Sequence, residues 1–299
     1  MTDTVQNRPI DPLEYEGLDE VLRWAIGEDL QTGDVTTDVL VPPESRARGR
    51  LLVKQEGVLA GLDLFARIFL LIDPRARVEL LKEDGDFVRP GDVAAIVDGL
   101  AHALLVGERT ALNFVQRLSG IATRTAQFVA LIDGRAKLYD TRKTTPGLRA
   151  LEKYAVRCGG GYNHRFGLFD EVMVKDNHVA LARGRSLAEM LLALRTTHGE
   201  EMTIHSEART EHEALEALAG DADVVLLDNF TPRELAQLVP RMRAAAAKRS
   251  RPFALEASGG IGLETVSDYA ATGVDRLSCG AVTHSAPALD LAFDFQEVR

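Results

Sequence analysis

The sequence lacks any long apolar run: stretches such as Leu64 to Ile72 are short and interrupted by Arg67, well below the roughly 18 residues a membrane-spanning helix needs. It has only two cysteines, Cys158 and Cys279, far apart and without metal-ligand spacing. That excludes a disulfide framework and a cysteine-built metal site, and both read as small buried residues. Aromatics are 6% of the chain with a single tryptophan, so no basic stripe interleaved with aromatics offers itself to nucleic acid. The N-terminus is polar and acidic and lacks signal-peptide character. Neither a membrane nor a nucleic acid is an expected partner, and the expected setting is cytoplasmic.

What is present describes a globular enzyme-sized chain. Its 299 residues are 45% hydrophobic and 27% charged, enough for one large or two ordinary domains. The formal net charge is -10, yet Arg135 to Arg165 holds eight Lys or Arg against Asp140 and Glu152, a local balance of +6. A local inversion of sign points to an anionic partner. Arg149, Lys153 and Arg157, at helical spacing, fit a solvated helix face equally well. Arg142, Lys143, His164, Arg165 and Lys175 do not, because they sit beside glycines and short polar runs.

The first hundred residues mix elements. Leu18, Val21, Leu22, Ala25 and Ile26 follow a helical period, and short strands are predicted over 49–53, 77–81 and 93–97, with a helix over 62–72. A helical pattern runs from Ala101 to Ile132 with a possible break at Ser119-Gly120. Beyond Gly134 strand and helix alternate. Strands are predicted over 136–139, 171–174, 202–204, 223–227, 252–255 and 274–277, with helices over 147–157, 186–197, 211–219, 232–248 and 263–271. Such alternation implies a parallel sheet with right-handed crossovers. Each strand run ends in polar or glycine-rich residues. A closed βα barrel gathers all those ends at one mouth, whereas an open doubly wound sheet uses only its switch-point loops. The barrel explains more of the sequence.

Arg142, Lys143, Arg165 and Lys175, with His164, would crowd cations into one cleft, an arrangement that requires an anion. Arginine suits bidentate carboxylate or phosphate recognition and lysine supplies a compact charge. Ser258-Gly259-Gly260 before the helix predicted at Leu263, and Gly280 after the last strand, are candidates for a phosphate seat at helix N-termini. Glu207 and Asp228, at strand ends, could pair with the lysines or hold a divalent cation. His102, His198 and His212 read as surface residues.

The motifs Asp140 to Arg149 (Asp-Thr-Arg-Lys-Thr-Thr-Pro-Gly-Leu-Arg), Gly159 to Arg165 (Gly-Gly-Gly-Tyr-Asn-His-Arg), Lys175 to His178 (Lys-Asp-Asn-His), Leu227-Asp-Asn229 and Gly107 to Asn113 (Gly-Glu-Arg-Thr-Ala-Leu-Asn) resemble those of quinolinate phosphoribosyltransferases. Glu28-Asp29 with Gly33 to Thr37 resembles the N-terminal signature of that family. The resemblance implies an α/β fold: an N-terminal α/β sandwich, residues 1–119 joined by 285–299, and an incomplete βα (TIM-like) barrel over 120–284. It implies transfer of phosphoribosyl from phosphoribosyl pyrophosphate (PRPP) to quinolinate, giving nicotinate mononucleotide, pyrophosphate and carbon dioxide, with magnesium (Mg2+) as cofactor. By motif, Arg142, His164, Arg165 and Lys175 would hold the quinolinate carboxylates, and Lys143 and Lys175 would face pyrophosphate and ribose. Glu207 and Asp228 would serve the ribose hydroxyls and magnesium, while Ser258, Gly259, Gly260, Gly280 and His284 would cradle the 5′-phosphate. Arg109 would reach into a partner subunit's site in a homodimer or larger assembly. One departure is His205, which stands where the family usually carries a carboxylate. The competing readings are a paralogous pyrophosphorylase linked to molybdate transport, a Schiff-base barrel lyase using Lys175, and a non-catalytic phosphometabolite sensor.

Overall fold

A computed structural model describes residues 15–182 and 184–298. In chain order, helices α1 (Leu18–Leu30) and α2 (Thr37–Leu40) precede strands β1 (Arg46–Val53) and β2 (Gly57–Val58). Helix α3 (Leu62–Ile72), strands β3 (Arg77–Leu80), β4 (Phe87–Val88) and β5 (Val93–Leu100), and the long α4 (Ala101–Ile132) follow. Then come β6 (Lys137–Tyr139), α5 (Arg149–Cys158), β7 (Val172–Val174), α6 (Asp176–Leu181), α7 (Leu187–His198) and β8 (Ile204–Ala208). The chain continues through α8 (Glu211–Ala219), β9 (Val224–Asp228), α9 (Pro232–Ala245) and β10 (Ala254–Ser258). It closes with α10 (Val266–Ala270), β11 (Arg276–Ser278), α11 (Ala281–His284) and β12 (Leu291–Val298). By its contacts the chain forms two compact units: residues up to Ala126 with Thr145–Gly160 and the segment from Ser285, and Gln127–Thr144 with Gly161–His284.

The first unit is an antiparallel sheet, ordered β12-β1-β5-β3, with helices. Alternate residues of β1, from Ala47 to Leu51 and Val53, are buried, the period-two pattern of a strand with one face on a core. Helix α3 buries Leu62, Leu64, Phe65, Ile68 and Phe69, and Phe65 and Phe69 meet Phe293 of β12 with ring centroids 6.0 and 5.5 Å apart. Gly49 lies where any Cβ would overlap the Phe293 ring, so the glycine is a packing requirement.

Helix α4 runs unbroken through Ser119-Gly120, where the sequence suggested an interruption. Packing explains both residues. The buried Ser119 hydroxyl accepts the Ala60 N–H at 3.0 Å, and Gly120 lets the backbone at Pro287 approach too closely for any side chain. Helix α5 belongs by its contacts to this unit. Its Lys153 is wholly buried, which overturns the solvated-face reading for that residue. The buried Glu152 beside it takes Arg117 Nη2 at 2.9 Å and the Thr145 hydroxyl at 2.8 Å.

The second unit is a six-stranded parallel sheet ordered β6-β11-β10-β9-β8-β7. First and last strands pair in parallel, Tyr139 beside Ser278, as a barrel closing on itself requires. The ring is incomplete between β6 and β7; there a single parallel bridge, Tyr139 to Tyr162, extends the β6 edge. Register sets Asp228, Ser258 and Ser278 in one row across β9, β10 and β11. Helices α7, α8 and α9 begin with capping boxes, Ser186/Glu189, Thr210/Glu213 and Thr231/Glu234, each contributing about 1 kcal/mol.

Strands β8, β9 and β10 run further than hydrophobicity suggests, to Ala208, Asp228 and Ser258. The reason is that polar side chains near the strand ends face the barrel mouth, so hydrophobicity stops before hydrogen bonding does. The helix predicted from Leu263 is only Val266–Ala270. His102, read as a surface residue, lies with its Nε2 2.7 Å from Asp38 Oδ1.

Candidate active site

The C-terminal ends of the barrel strands surround a cavity of about 780 Å³. Arg142 and Lys143 enter it after β6, His164 and Arg165 after the Tyr162 bridge, and Lys175 immediately after β7. Glu207 of β8, Asp228 of β9 and Ser258 of β10 line it, with Gly259 and Gly260 beyond. Gly280 and His284 complete the wall after β11.

The cations are fixed from behind. Asp140, fully buried, accepts the His164 N–H at 2.8 Å and Asn163 Nδ2 at 2.6 Å, which anchors the turn carrying His164 and Arg165. Arg165 Nη1 donates to the Glu171 carbonyl at 3.3 Å, and Arg142 Nη1 to the Gly167 carbonyl at 3.4 Å. Burial, followed by the neighbouring Arg142 charge, pushes the Arg165 guanidinium below its ordinary value. Two guanidinium groups that repel in a partly desolvated wall are an electrostatic demand for an anion. The Lys143 carbonyl accepts the Thr283 hydroxyl at 2.9 Å, which ties the β6 and β11 loops together.

The acidic side of the cavity is Glu207, Asp228 and, at the rim, Asp176. Lys175 Nζ stands 2.7 Å from Glu207 Oε2. Arg209, which directly follows β8, reaches all three acids: Asp176 Oδ2 at 2.7 Å, Asp228 Oδ2 at 3.4 Å and Glu207 Oε1 at 3.6 Å. Glu207 and Asp228 offer oxygen donors on adjacent strands, the ligand chemistry magnesium takes. A guanidinium already bridging them shows that the pair accommodates a cation.

The glycine wall is a loop device, because α10 and α11 are too short to act as dipoles. Gly259 and Gly260 have φ of +96° and +64°, a left-handed pair that turns successive amides to one side. Among the described residues no acceptor takes either N–H. A Cβ on Gly259 would overlap the Asn229 side chain, and Asn229 Nδ2 is bonded to Asp228 at 2.7 Å. At Gly280 a Cβ would stand 3.0 Å from Lys143 Cδ and 3.1 Å from the His284 ring.

Beneath the mouth the barrel interior is polar, where barrels usually stack branched apolar residues. His164 Nε2 lies 3.4 Å from Glu256 Oε1, and His205 Nε2 lies 2.9 Å from Glu171 Oε2. Burial opposes charge on His164, but Glu256, Glu171 and Asp140 outweigh it and raise its pKa. Its Nδ1 accepts the Arg165 N–H at 2.9 Å, which fixes the ring with Nε2 facing Glu256. Burial, aided by the His164 charge, lowers the pKa of His205 despite Glu171. Burial alone would raise the Glu256 carboxyl, yet His164, His205 and Ser278 hold it at about 2. His164, His205 and Glu256 form the one buried cluster of potential metal ligands among the described residues, and its imidazoles suit magnesium poorly.

Residues 34–119 match the family model described as quinolinate phosphoribosyl transferase, N-terminal domain, and 121–294 the corresponding C-terminal domain. The chain belongs to the quinolinate phosphoribosyl transferase family. It is 43% identical over 281 residues, 93% of both chains, to the probable nicotinate-nucleotide pyrophosphorylase (carboxylating) of Bacillus subtilis. The solved structure of NadC from Streptococcus pyogenes superposes with a TM-score of 0.87 at 36% identity, over 96% of this chain and 97% of that one. The nicotinate-nucleotide pyrophosphorylase of Francisella tularensis gives a TM-score of 0.87 at 33% identity, over 99% and 100% of the chains.

Within this quinolinate phosphoribosyl transferase fold, twelve of the thirteen site residues expected from the sequence line the barrel cavity. The thirteenth, Arg109, lies on α4 in the first unit and lines a cavity of about 1040 Å³ with Trp24, Phe114 and Leu151. That cavity is larger and sets Arg109 and Arg117 beside Glu20, Glu28 and Asp29, but it lacks the glycine-rich loop and strand-end residues that line the barrel mouth. His205 does not line the mouth at all: it lies one layer below Glu207 on the same face of β8, with a carboxylate opposite it on Glu171. The sequence reading missed Arg209, although it closes the polar run that ends β8. Among the described residues no helix is long and apolar enough to cross a membrane.

Proposed function

We propose that this chain transfers phosphoribosyl from PRPP to quinolinate with decarboxylation, forming nicotinate mononucleotide, pyrophosphate and carbon dioxide. The observation that carries this reading is a pair of like charges, buried Arg165 and half-buried Arg142, lining one cavity with His164. Quinolinate, a dicarboxylate, neutralises that pair with two planar groups. Arg142, His164 and Arg165 would hold the carboxylates, with Lys175 adjoining them.

The opposite wall suits the phosphoribosyl donor. The amides at Gly259 and Gly260, with Ser258, Gly280 and His284, would receive the 5′-phosphate. Glu207 and Asp228 would meet the ribose hydroxyls and hold magnesium, which when bound offsets charge on the departing diphosphate. Lys143 and Lys175 would face that diphosphate. The ring nitrogen of quinolinate then bonds to ribose C1 as the C1–oxygen bond breaks and pyrophosphate leaves with the electron pair. Carboxylates beside the developing positive ribose stabilise it. The nitrogen is now quaternary, so the bond to the adjacent carboxylate can break, carbon dioxide departs, and the remaining ring carbanion takes a proton. The protein supplies position and field, with no covalent nucleophile.

A Schiff-base lyase would need Lys175 as a free amine in an apolar pocket; its Nζ is instead an ion-pair partner of Glu207. The family membership and the complete anion grip favour quinolinate over a molybdate-linked paralogue. We also propose a cytoplasmic homodimer or larger assembly in which Arg109 serves a partner's site. The test is product formation: purified protein with magnesium, PRPP and quinolinate should yield nicotinate mononucleotide by chromatography. Failure to do so, in folded protein, sinks the reading.

A further inference from the structure

We propose that Arg209 is the resident counter-cation of the Glu207–Asp228 pair and is displaced when a divalent metal binds there. The inference rests on the magnesium placement given above and goes beyond it. Arg209 is anchored through its backbone, whose N–H donates to Glu213 Oε2 at 2.7 Å in the α8 cap, while its side chain is 52% exposed. Its three contacts are graded. The short one, 2.7 Å, is to Asp176 at the rim, itself 42% exposed. The longer ones, 3.4 and 3.6 Å, are to Asp228 and Glu207, which are 15% and 7% exposed.

That gradient defines a direction of release. The guanidinium can leave the two inner carboxylates while keeping its rim partner, because the outer contact is the closest and the most solvated. A divalent cation between Glu207 and Asp228 with Arg209 still in place would set like charges against each other at contact distance. Loading the metal therefore requires Arg209 to move outward. Lys175 remains on the other oxygen of Glu207, 2.7 Å from Oε2, so the inner pair never loses all positive charge. The metal-free carboxylate pair is thus occupied by an internal ion pair, and the metal competes with a tethered side chain for its ligands.

The test is direct titration with Mn2+ as probe, reading free Mn2+ by electron paramagnetic resonance with the full chain and no substrate. Arg209→Gln should bind Mn2+ about tenfold more tightly than wild type, the order expected for removing an adjacent positive charge. Arg142→Gln removes a charge elsewhere in the pocket and should change binding by less than about threefold. Glu207→Gln and Asp228→Asn should weaken binding with or without Arg209, with circular dichroism checking the fold. Unchanged or weaker Mn2+ binding in Arg209→Gln, while Glu207→Gln still weakens it, overturns the displacement but leaves the metal placement standing. Equal tightening by Arg142→Gln also overturns it, since a general field would then suffice. If neither carboxylate substitution alters Mn2+ binding, the metal placement fails and this inference fails with it.

Discussion

Glu256 Oε1 lies 3.4 Å from His164 Nε2, and both side chains are buried directly beneath the cavity mouth. The histidine that lines the cavity is therefore backed by a carboxylate with no access to water. Glu256→Gln leaves His164 without that charge and should lower unfolding stability by about 3 kcal/mol, as for a buried ion pair stripped of one partner. Urea denaturation at neutral pH measures this; a loss under about 0.5 kcal/mol would show that the pair contributes little.

The same pair fixes the direction of pH dependence. The Glu256 carboxyl falls from an ordinary 4.5 to about 2 on folding. Its contribution is therefore present above about pH 4.5 and lost as pH drops toward 2. His164 is shifted upward, so its contribution is present below its ordinary value of 6.5 and disappears as pH rises through the shifted one. Wild-type stability should thus fall more steeply between pH 4.5 and 2 than that of Glu256→Gln, measured in chemical denaturation series. Parallel curves would remove Glu256 from the acid transition.

Arg142→Ala or Arg165→Ala should each cost about 2–5 kcal/mol of quinolinate binding, because each removes one member of a desolvated charge contact. Isothermal titration with quinolinate gives the number directly. Wild-type affinity in either variant contradicts the carboxylate assignment.

Gly259→Ala should weaken PRPP binding by about five- to 150-fold, since φ of +96° and the overlap with Asn229 both disfavour a side chain, a penalty of about 1–3 kcal/mol. The KM for PRPP reports the change, and an unaltered value would remove the loop from the phosphate seat.

Inactive Arg109→Ala and Arg142→Ala proteins, mixed under conditions of proven subunit exchange, should recover partial activity if Arg109 completes a neighbour's site. No recovery after exchange counts against a shared site.

Much of the barrel was legible because local rules and the global fold agree there. Alternating strands and helices, capping boxes, and strand ends rich in Arg, Lys, Glu and Gly all express one architecture. The strand ends themselves were less legible. Glu207, Asp228 and Ser258 lie within strands, but an inward-facing polar residue at a mouth carries no hydrophobic signal. Lys153 was undecided between two readings because helical spacing cannot distinguish a solvated lysine from a buried one. The layer of His164, His205, Glu171 and Glu256 was invisible for a related reason: its members come from separate elements and meet only across the barrel. Arg209 was visible as a residue but not as a bridge, since its three acids lie 33 positions before, two before and 19 after it in the chain.

The most direct test of the chemistry follows carbon. Quinolinate labelled in the carboxylate next to the ring nitrogen is incubated with the protein and magnesium, with and without PRPP, while labelled carbon dioxide and pyrophosphate are counted. Release of label only when PRPP is present, in a one-to-one ratio with pyrophosphate, is the expected result. Label released without PRPP, or pyrophosphate formed without label, would contradict decarboxylation that waits for a quaternary ring nitrogen.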